Sequence, residues 1–464
     1  MVKIFNHYVS KLVSALLLIE IFALILSLYG AHDVLAAYGY TVRSLDDGFF
    51  ASASAFSLLT VFSMAAFGLY HLEGKPTATI TALRLVPAAG LGFIISAILF
   101  RVVPELYFDM RVLSVAAAGG GVAILVLRTL IFRTFELSFL ESRVIFVGEG
   151  ALAKECSTLA VDTIFPKKYN IVGFVPTRTE ECAVSSSDIL PAGESLFSIA
   201  KKHSVREIVV SAQNRRGASF PLHELLECKL NGIKVTGAAA FIEREARQIR
   251  VDSLYPSWLI YGDGFNQSTF RTVCKRTFDL VVSMLIFTVS LPVMLLTALC
   301  IWLEDRGPVI YRQERVGKDG KSFYVLKFRS MRSDAEKGGT PQWATANDDR
   351  TTRVGRFIRK VRIDELPQII NVLRGEMSFV GPRPERPYFV KQLNEKIPYY
   401  NVRHTIKPGI TGFAQVRYQY GSSVEDAVQK LQYDLYYVKN HGLFLDLLIL
   451  VETLQVVLFA KGSR

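Results

Sequence analysis

Apolar runs long enough to cross a bilayer dominate the first third of this chain and decide most of what it can fold into. Four of them, residues 12–29, 49–70, 80–100 and 112–132, fill the first 135 positions. A helical crossing needs about 20 predominantly apolar residues, and inside lipid only a helix or a closed barrel satisfies its own backbone. Residues 1–135 therefore predict a four-helix transmembrane bundle. Lys3 and Lys11 precede the first run, and Arg128 and Arg133 close the fourth. The loop after the first run carries Asp33, Asp46 and Asp47 against Arg43. Cytoplasmic flanks are rich in Lys and Arg, so both ends of the bundle are expected in the cytoplasm. The leading run is long, lacks a small-residue cleavage site and is followed by more such runs, which argues against a cleavable signal. Arg84 can snorkel to the interface, and Gly119-Gly120-Gly121 permits close helix packing.

Residues 142–250 change character. Arg143-Val144-Ile145-Phe146-Val147 reads as a buried strand, and Gly148-Glu149-Gly150-Ala151-Leu152-Ala153 as a GxGxxA turn into a helix. Strand-like segments around 171–175, 207–210 and 233–236 alternate with helical ones, the pattern of a parallel, Rossmann-like α/β domain. Gly148 and Gly150 would carry a bound dinucleotide. However, the second strand ends in Pro176-Thr177 rather than the acid that holds a ribose. Two readings stay open: a nucleotide site, or a regulatory or dimerising domain. Residues 251–270 read as a linker.

A fifth apolar run, residues 280–302, holds Pro292 near its middle. Arg271, Lys275 and Arg276 stand before it, and Arg306, Arg312 and Arg315 after it. Cations at both ends suit a helix that enters the membrane, bends at the proline and returns to the same face. The alternative is a kinked spanning helix.

From Gly307 onward the chain is basic. Arg312-Gln313-Glu314-Arg315-Val316-Gly317, Lys327-Phe328-Arg329-Ser330-Met331-Arg332, Gly381-Pro382-Arg383-Pro384 and Lys407-Pro408-Gly409-Ile410-Thr411-Gly412 each hold cations suited to phosphate. Among them lies Ile363-Asp364-Glu365-Leu366-Pro367, close to Arg353, Arg356, Arg359, Lys360 and Arg362. The residues after it, 368–375, read as a helix stopped by Gly375. Carboxylates among many cations suggest a site that handles phosphate directly or through a divalent metal. The bland alternative makes Asp364 a helix N-cap.

Half of the 464 residues are apolar and the formal net charge is +12. With a mean hydropathy of +0.28, that balance points to phospholipid headgroups and phosphorylated substrates as partners, not to nucleic acid. The five cysteines are scattered, form no CxxC, and read as reduced thiols. An oxidoreductase reading rests on the GxGxxA turn alone. A membrane-anchored nucleotide sensor would bind its nucleotide without turning it over. A transporter would need ionisable groups inside the bundle, where Arg84 is nearly the only candidate.

The order of these motifs resembles the long form of the bacterial polyprenyl-phosphate hexose-1-phosphate transferases, the monotopic phosphoglycosyl transferases, over residues 271–464. The segment 418–421, the stretch 431–437 and the closing Lys461-Gly462-Ser463-Arg464 resemble the exopolysaccharide branch found with PEP-CTERM systems. The resemblance implies a monotopic α/β catalytic domain with a re-entrant membrane helix over 280–302, broken at Pro292. It implies transfer of a sugar-1-phosphate from a UDP-sugar, glucose first, to undecaprenyl phosphate, with release of UMP. UDP-galactose and UDP-N-acetylhexosamines are the alternatives. Asp364 would be the nucleophile and Glu365 its partner, the two also binding Mg²⁺. Lys327, Arg359 and Arg383 would hold phosphate oxygens. Arg315, Arg329, Lys407, Gln415 and Asp434 are further site candidates. The implied setting is the bacterial inner membrane, with a homodimeric, multi-pass protein and its catalytic domain on the cytoplasmic face. Leu291, Lys407 and Arg417-Tyr418 depart from the commoner family pattern.

Overall fold

The computed structural model describes residues 2–4, 7–40, 47–72, 77–106, 109–134, 141–161, 167–177, 181–191, 193–212, 220–251, 265, 268–332, 350–418, 421 and 423–458. Most of the expected linker, Asp46, part of the 418–421 segment and the closing four residues lie outside these. The chain folds as two compact units, Met1–Val2 with Tyr8–Ala246, and Lys3–His7 with Arg247–Arg464. Two short strands, β1 (Val2–Ile4) and β2 (His7–Val9), open the chain.

In the first unit four long helices follow: α1 (Lys11–Ala37), α2 (Asp47–Ala66), α3 (Ala78–Val102) and α4 (Met110–Thr134). Each is long and apolar enough to cross a membrane. They close a ring, α1 against α2 and α4, and α3 against α2 and α4. Leu24, Leu28, Phe56, Phe100 and Ile124 fill the interior, while Leu18, Leu83 and Val86 face outward. Gly120 lets α4 approach α1: a Cβ there would lie 2.9 Å from Leu24 Cδ2.

The interior also holds an ion pair, which corrects the expectation that Arg84 is nearly the sole ionisable group. Arg128 Nε donates to Glu20 Oε1 at 2.6 Å and Nη2 to Oε2 at 3.1 Å. Arg128 Nη1 donates to the Leu69 carbonyl at 2.7 Å, and the Tyr70 hydroxyl to Glu20 Oε2 at 2.6 Å. Glu20 is 0% exposed and Arg128 2%. Arg84 is tied down as well, donating to the Gly68 carbonyl.

The α/β part of this unit has four parallel strands: β3 (Ser142–Val147), β4 (Tyr169–Val175), β5 (Glu207–Val210) and β6 (Lys234–Gly237), in the order β4-β3-β5-β6. Between and after them run α5 (Ala151–Val161), α6 (Leu196–Lys202), α7 (Leu222–Leu230) and α8 (Ala238–Ala246). Val144 and Phe146 pack with Ala153, Cys156 and Phe241; Ile145 and Val147 pack with Leu196, Ile199 and Leu225. Alternate side chains thus feed two cores, as a parallel sheet covered on both faces requires. Gly148 has φ +123°, and a Cβ would stand 2.8 Å from Ala212 N, so only glycine fits that turn. Glu149, buried, accepts from Thr177 N at 2.6 Å and so ties the glycine turn to the end of β4.

The second unit opens on the pair Ile249 and Val251, which pack into its core, with Ile249 N bonded to the Gln432 carbonyl. A 37-residue helix, α9 (Thr269–Asp305), runs unbroken through Pro292 and is the fifth apolar enough to cross a membrane. The antiparallel pair β7 (Ile310–Val316) and β8 (Ser322–Phe328) follows, then α10 (Arg353–Lys360) and α11 (Gln368–Arg374). Next come β9 (Ser378–Val380), α12 (Pro387–Lys396), a 3-10 turn over Tyr400–Thr405, β10 (Gly409–Thr411) and α13 (Phe413–Arg417). The unit ends with α14 (Val424–Asn440) and α15 (Leu443–Leu458). Val372, Phe379, Val380, Tyr400, Phe413, Leu435 and Tyr436 form its centre.

Candidate active site

The acid pair sits on a 3-10 turn, Ile363–Glu365, entered through Arg362 in the left-handed region (φ +60°). Pro367, not Asp364, is the N-cap of α11, so the capping role for Asp364 falls away. Ile363 and Leu366 anchor the turn in an apolar cluster with Phe328, Ile358 and Met294. Gly375, at φ +84°, ends α11 as its sequence predicts.

Asn371 fixes that helix against the strand that brings Lys327. Its Oδ1 accepts from Leu326 N at 3.0 Å and its Nδ2 donates to the Tyr324 carbonyl at 2.8 Å. Lys327 Nζ then donates to Glu365 Oε1 at 3.1 Å. Arg362 Nη2 lies 3.8 Å from Glu365 Oε2, and Arg383 Nη1 3.9 Å from Oε1. Burial alone would push the Glu365 carboxyl up. Lys327 first, then Arg383 and Arg362, outweigh it and hold the group ionised with a pKa of about 2.

Asp364 is treated differently. Among the described residues no hydrogen bond or ion pair engages its carboxylate. Burial, then repulsion from Glu365, raise its pKa against the pull of Lys327, Arg362 and Arg359. A carboxylate that is neither caged nor strongly solvated is the better nucleophile of the two. Arg359, half-buried in the last turn of α10, contributes charge without a contact.

Arg383 belongs to the loop after β9, and two cations hold that loop, the half-buried Arg315 and the buried Arg403. Arg315 Nη1 donates to the Pro384 carbonyl at 3.1 Å. Its own pKa is pushed down to about 10 by burial, with repulsion from Arg383 and Arg386. Arg403 Nη2 donates to the Arg383 carbonyl at 3.0 Å while standing 2.8 Å from Asp434 Oδ2. The Asp434 carboxylate is thus charge-paired but lacks a well-formed hydrogen bond, and its burial raises its pKa to about 6.

Of the sequence candidates, Asp364, Glu365, Lys327, Arg359 and Arg383 converge, and Arg315 and Asp434 support the Arg383 loop from behind. Arg329 is buried at the end of α9, paired with Asp305. Lys407 lies beside Gly375 and Arg276. Gln415 carries a buried Oε1 with no hydrogen-bond partner. Pro292 is within α9, and Gly148 and Gly150 belong to the other unit. Asn371 and Arg403 are the residues that sequence reasoning missed. A lone Asn in the apolar run of α11 was the available signal, since a buried amide must find partners.

The site thus sets a caged carboxylate beside one with no bond among the described residues, in a basic α/β unit built on a helix long and apolar enough to cross a membrane. A family model described as bacterial sugar transferase matches residues 270–460. The chain is 41% identical over 240 residues to the UDP-N-acetylgalactosamine-undecaprenyl-phosphate N-acetylgalactosaminephosphotransferase of Aeromonas hydrophila, a match covering 52% of this chain and 56% of that protein. It is 42% identical over 202 residues to the UDP-glucose:undecaprenyl-phosphate glucose-1-phosphate transferase of Xanthomonas campestris pv. campestris, covering 43% and 42%. A protein of the same description from Caulobacter vibrioides is 42% identical over 191 residues, covering 41% of this chain and 71% of its own length. The chain spans about half the length of the first two, and it belongs to the bacterial sugar transferase family.

Proposed function

We propose that this protein transfers a sugar-1-phosphate from a UDP-sugar to undecaprenyl phosphate, the opening step of an exopolysaccharide. The observation that carries this reading is the unequal acid pair: Asp364 unpaired with a raised pKa, Glu365 caged and ionised. An Asp364 oxygen attacks the β-phosphorus, the bond to the UMP oxygen breaks, and UMP leaves. An oxygen of the lipid phosphate then attacks the same phosphorus and frees Asp364. Covalent catalysis lets a soluble donor and a membrane-bound acceptor use one site in turn. Lys327, Arg359, Arg362 and Arg383 neutralise the phosphate oxygens. Glucose is the first choice of sugar, and the names of the relatives carry both glucose and N-acetylgalactosamine.

Among the described residues no group of three or more His, Cys, Asp or Glu could hold a metal. The two carboxylates still fit Mg²⁺, which commonly takes one or two carboxylates and completes its shell with substrate phosphates and water. Asp364 and Glu365 would hold it, and when bound it would neutralise the diphosphate and the departing UMP. EDTA is expected to stop UMP release and added Mg²⁺ to restore it; unchanged turnover in EDTA removes the metal.

The re-entrant path of α9 belongs to this reading. Lys275 near its start bonds to Asp446, while Glu304 at its end accepts from Arg353 N. Both partners are in one folded unit, which supports placing both ends of α9 on one face, here the cytoplasmic face of the inner membrane. Because α9 is continuous through Pro292, the reversal in this reading is a bend within the helix and not a break. The α/β part of the first unit is Rossmann-like and serves assembly, as a homodimer, rather than chemistry. The deciding assay offers a panel of UDP-sugars with undecaprenyl phosphate and scores UMP. Release with one sugar supports the proposal; release with none overturns it.

A further inference from the structure

The first turns of α9 bond to both halves of the candidate site. On one side Arg276 Nη1 donates to the Val372 carbonyl at 2.6 Å and Nη2 to the Leu373 carbonyl at 2.8 Å. These are last-turn carbonyls of α11, the seven-residue helix that begins just after the acid pair. Guanidinium donors there satisfy orphan groups and complement the negative end of the helix. On the other side Asp279 Oδ1 accepts from Ser378 Oγ at 3.0 Å and from Phe379 N at 3.1 Å. Lys275 Nζ donates to the Val380 carbonyl at 3.2 Å. All three residues of β9 are therefore held by α9, and β9 runs directly into Gly381-Pro382-Arg383.

Lys275 and Asp279 are four residues apart and share a helix face; Arg276 and Asp279 are three apart. Asp279 is 2% exposed. Lys275 is itself fixed by Asp446 Oδ2 at 2.7 Å, and the Tyr437 hydroxyl donates to the Val380 carbonyl at 3.0 Å. Bonds buried this way are expensive to leave unmade. The direct contact between Arg383 and the acid pair is long, 3.9 Å to Glu365 Oε1, so the two separate pieces of backbone still have to be brought to a common reference.

We propose that the entry turns of α9 are that reference: Arg276 and Asp279 are positioning residues that set the separation between the acid pair and Arg383. Neither touches substrate. Asp279 acts through β9 on Arg383, and Arg276 acts through α11 on Asp364 and Glu365. The catalytic consequence rests on the phosphotransfer reading above; the mechanical part does not.

The test uses the full chain in lipid nanodiscs. Asp279→Ala removes both accepted bonds, and Asp279→Asn keeps an acceptor oxygen. Hydrogen exchange of Asp279→Ala is expected to quicken in peptides over 378–386 and not over 368–374. Arg276→Ala is expected to do the reverse, and Asp279→Asn to exchange like the parent. In the UMP assay Asp279→Ala should lose about a hundredfold in kcat, as roughly 1 Å of misplacement does, with a smaller change in KM and recovery in Asp279→Asn. In an Arg383→Ala background the same substitution should cost little more. Unchanged exchange over 378–386, or fully additive losses, overturns the proposal. If the parent chain releases no UMP, the phosphotransfer reading fails by itself, and the exchange pattern still decides the positioning.

Discussion

Lys327 stands 3.1 Å from Glu365, and that bond separates the roles of two adjacent carboxylates. Asn371, in the helix behind the acid pair, fastens the strand that carries Lys327 through Leu326 N and the Tyr324 carbonyl. Glu365 is consequently held by cations while Asp364 is not, the difference on which the proposed choice of Asp364 as nucleophile rests.

Asp364→Asn is expected to lower UMP release at least about a thousandfold, the scale of losing a covalent nucleophile. With UDP-sugar supplied and lipid withheld, mass spectrometry should place a phosphosugar on Asp364 in the parent chain. An adduct on another residue, or full activity in Asp364→Asn, contradicts the assignment.

The pH behaviour of the two acids runs in opposite senses. The folded-state pKa of Glu365, about 2, lies below its unfolded value of about 4.3. Its stabilising contribution is present above pH ~4.3 and is lost as pH falls towards 2, a loss of about 3 kcal/mol in all. Asp364, with its pKa raised, contributes in the other direction: its share is present at low pH and lost as pH rises through its folded value. Glu365→Gln should therefore melt below the parent at pH 7, with the gap closing between pH ~4.3 and ~2. A gap that ignores pH would show that the cation cage does not stabilise the ionised form. The acid limb of UMP release, set by Asp364, should lie above the range of an exposed aspartate.

Arg403→Met strips the buried Asp434 of its counter-charge and should cost about 3–5 kcal/mol in thermal or urea unfolding. Adding Asp434→Leu removes the stranded charge and should recover most of that stability. Activity should stay low in the double variant, because the Arg383 carbonyl has lost its donor. Recovery of both together would make Arg403 a purely structural residue.

Local patterns carried much of the fold. The apolar runs marked the five long helices, the glycine after Arg374 marked the end of α11, and the strand–turn–helix at 142–153 marked a parallel sheet. The acid pair among cations was likewise visible as a string of residues. What each cation does was not. Arg315, Arg329 and Lys407 look alike in sequence, yet the fold spends one on the Pro384 carbonyl, one on Asp305, and leaves the third beside Arg276. Arg403 and Asn371 matter only through partners distant in the chain. Glu20 was lost for a related reason: one acid inside a long apolar run is averaged away by hydropathy, and its partner is 108 residues on.

Glu20→Gln should destabilise the bundle by about 3–5 kcal/mol, since Arg128 would then be buried without its counter-charge. Adding Arg128→Met should restore part of the loss, measured as thermal unfolding in detergent. UMP release should follow the second unit and change little.

The same pair has a consequence for biosynthesis. Ribosomes make α1 long before α4, and at about 5–20 residues per second the 108 residues between Glu20 and Arg128 take roughly 5–20 s. For that interval the nascent first helix carries a carboxyl with no counter-charge, at a cost that insertion scales put near 2.5–3.5 kcal/mol for a comparable charge at a helix centre. Arrival of α4 cancels the deficit at one stroke. A chain cut short before α4 never cancels it, so an incomplete product differs in energy, and not merely in length, from a finished one.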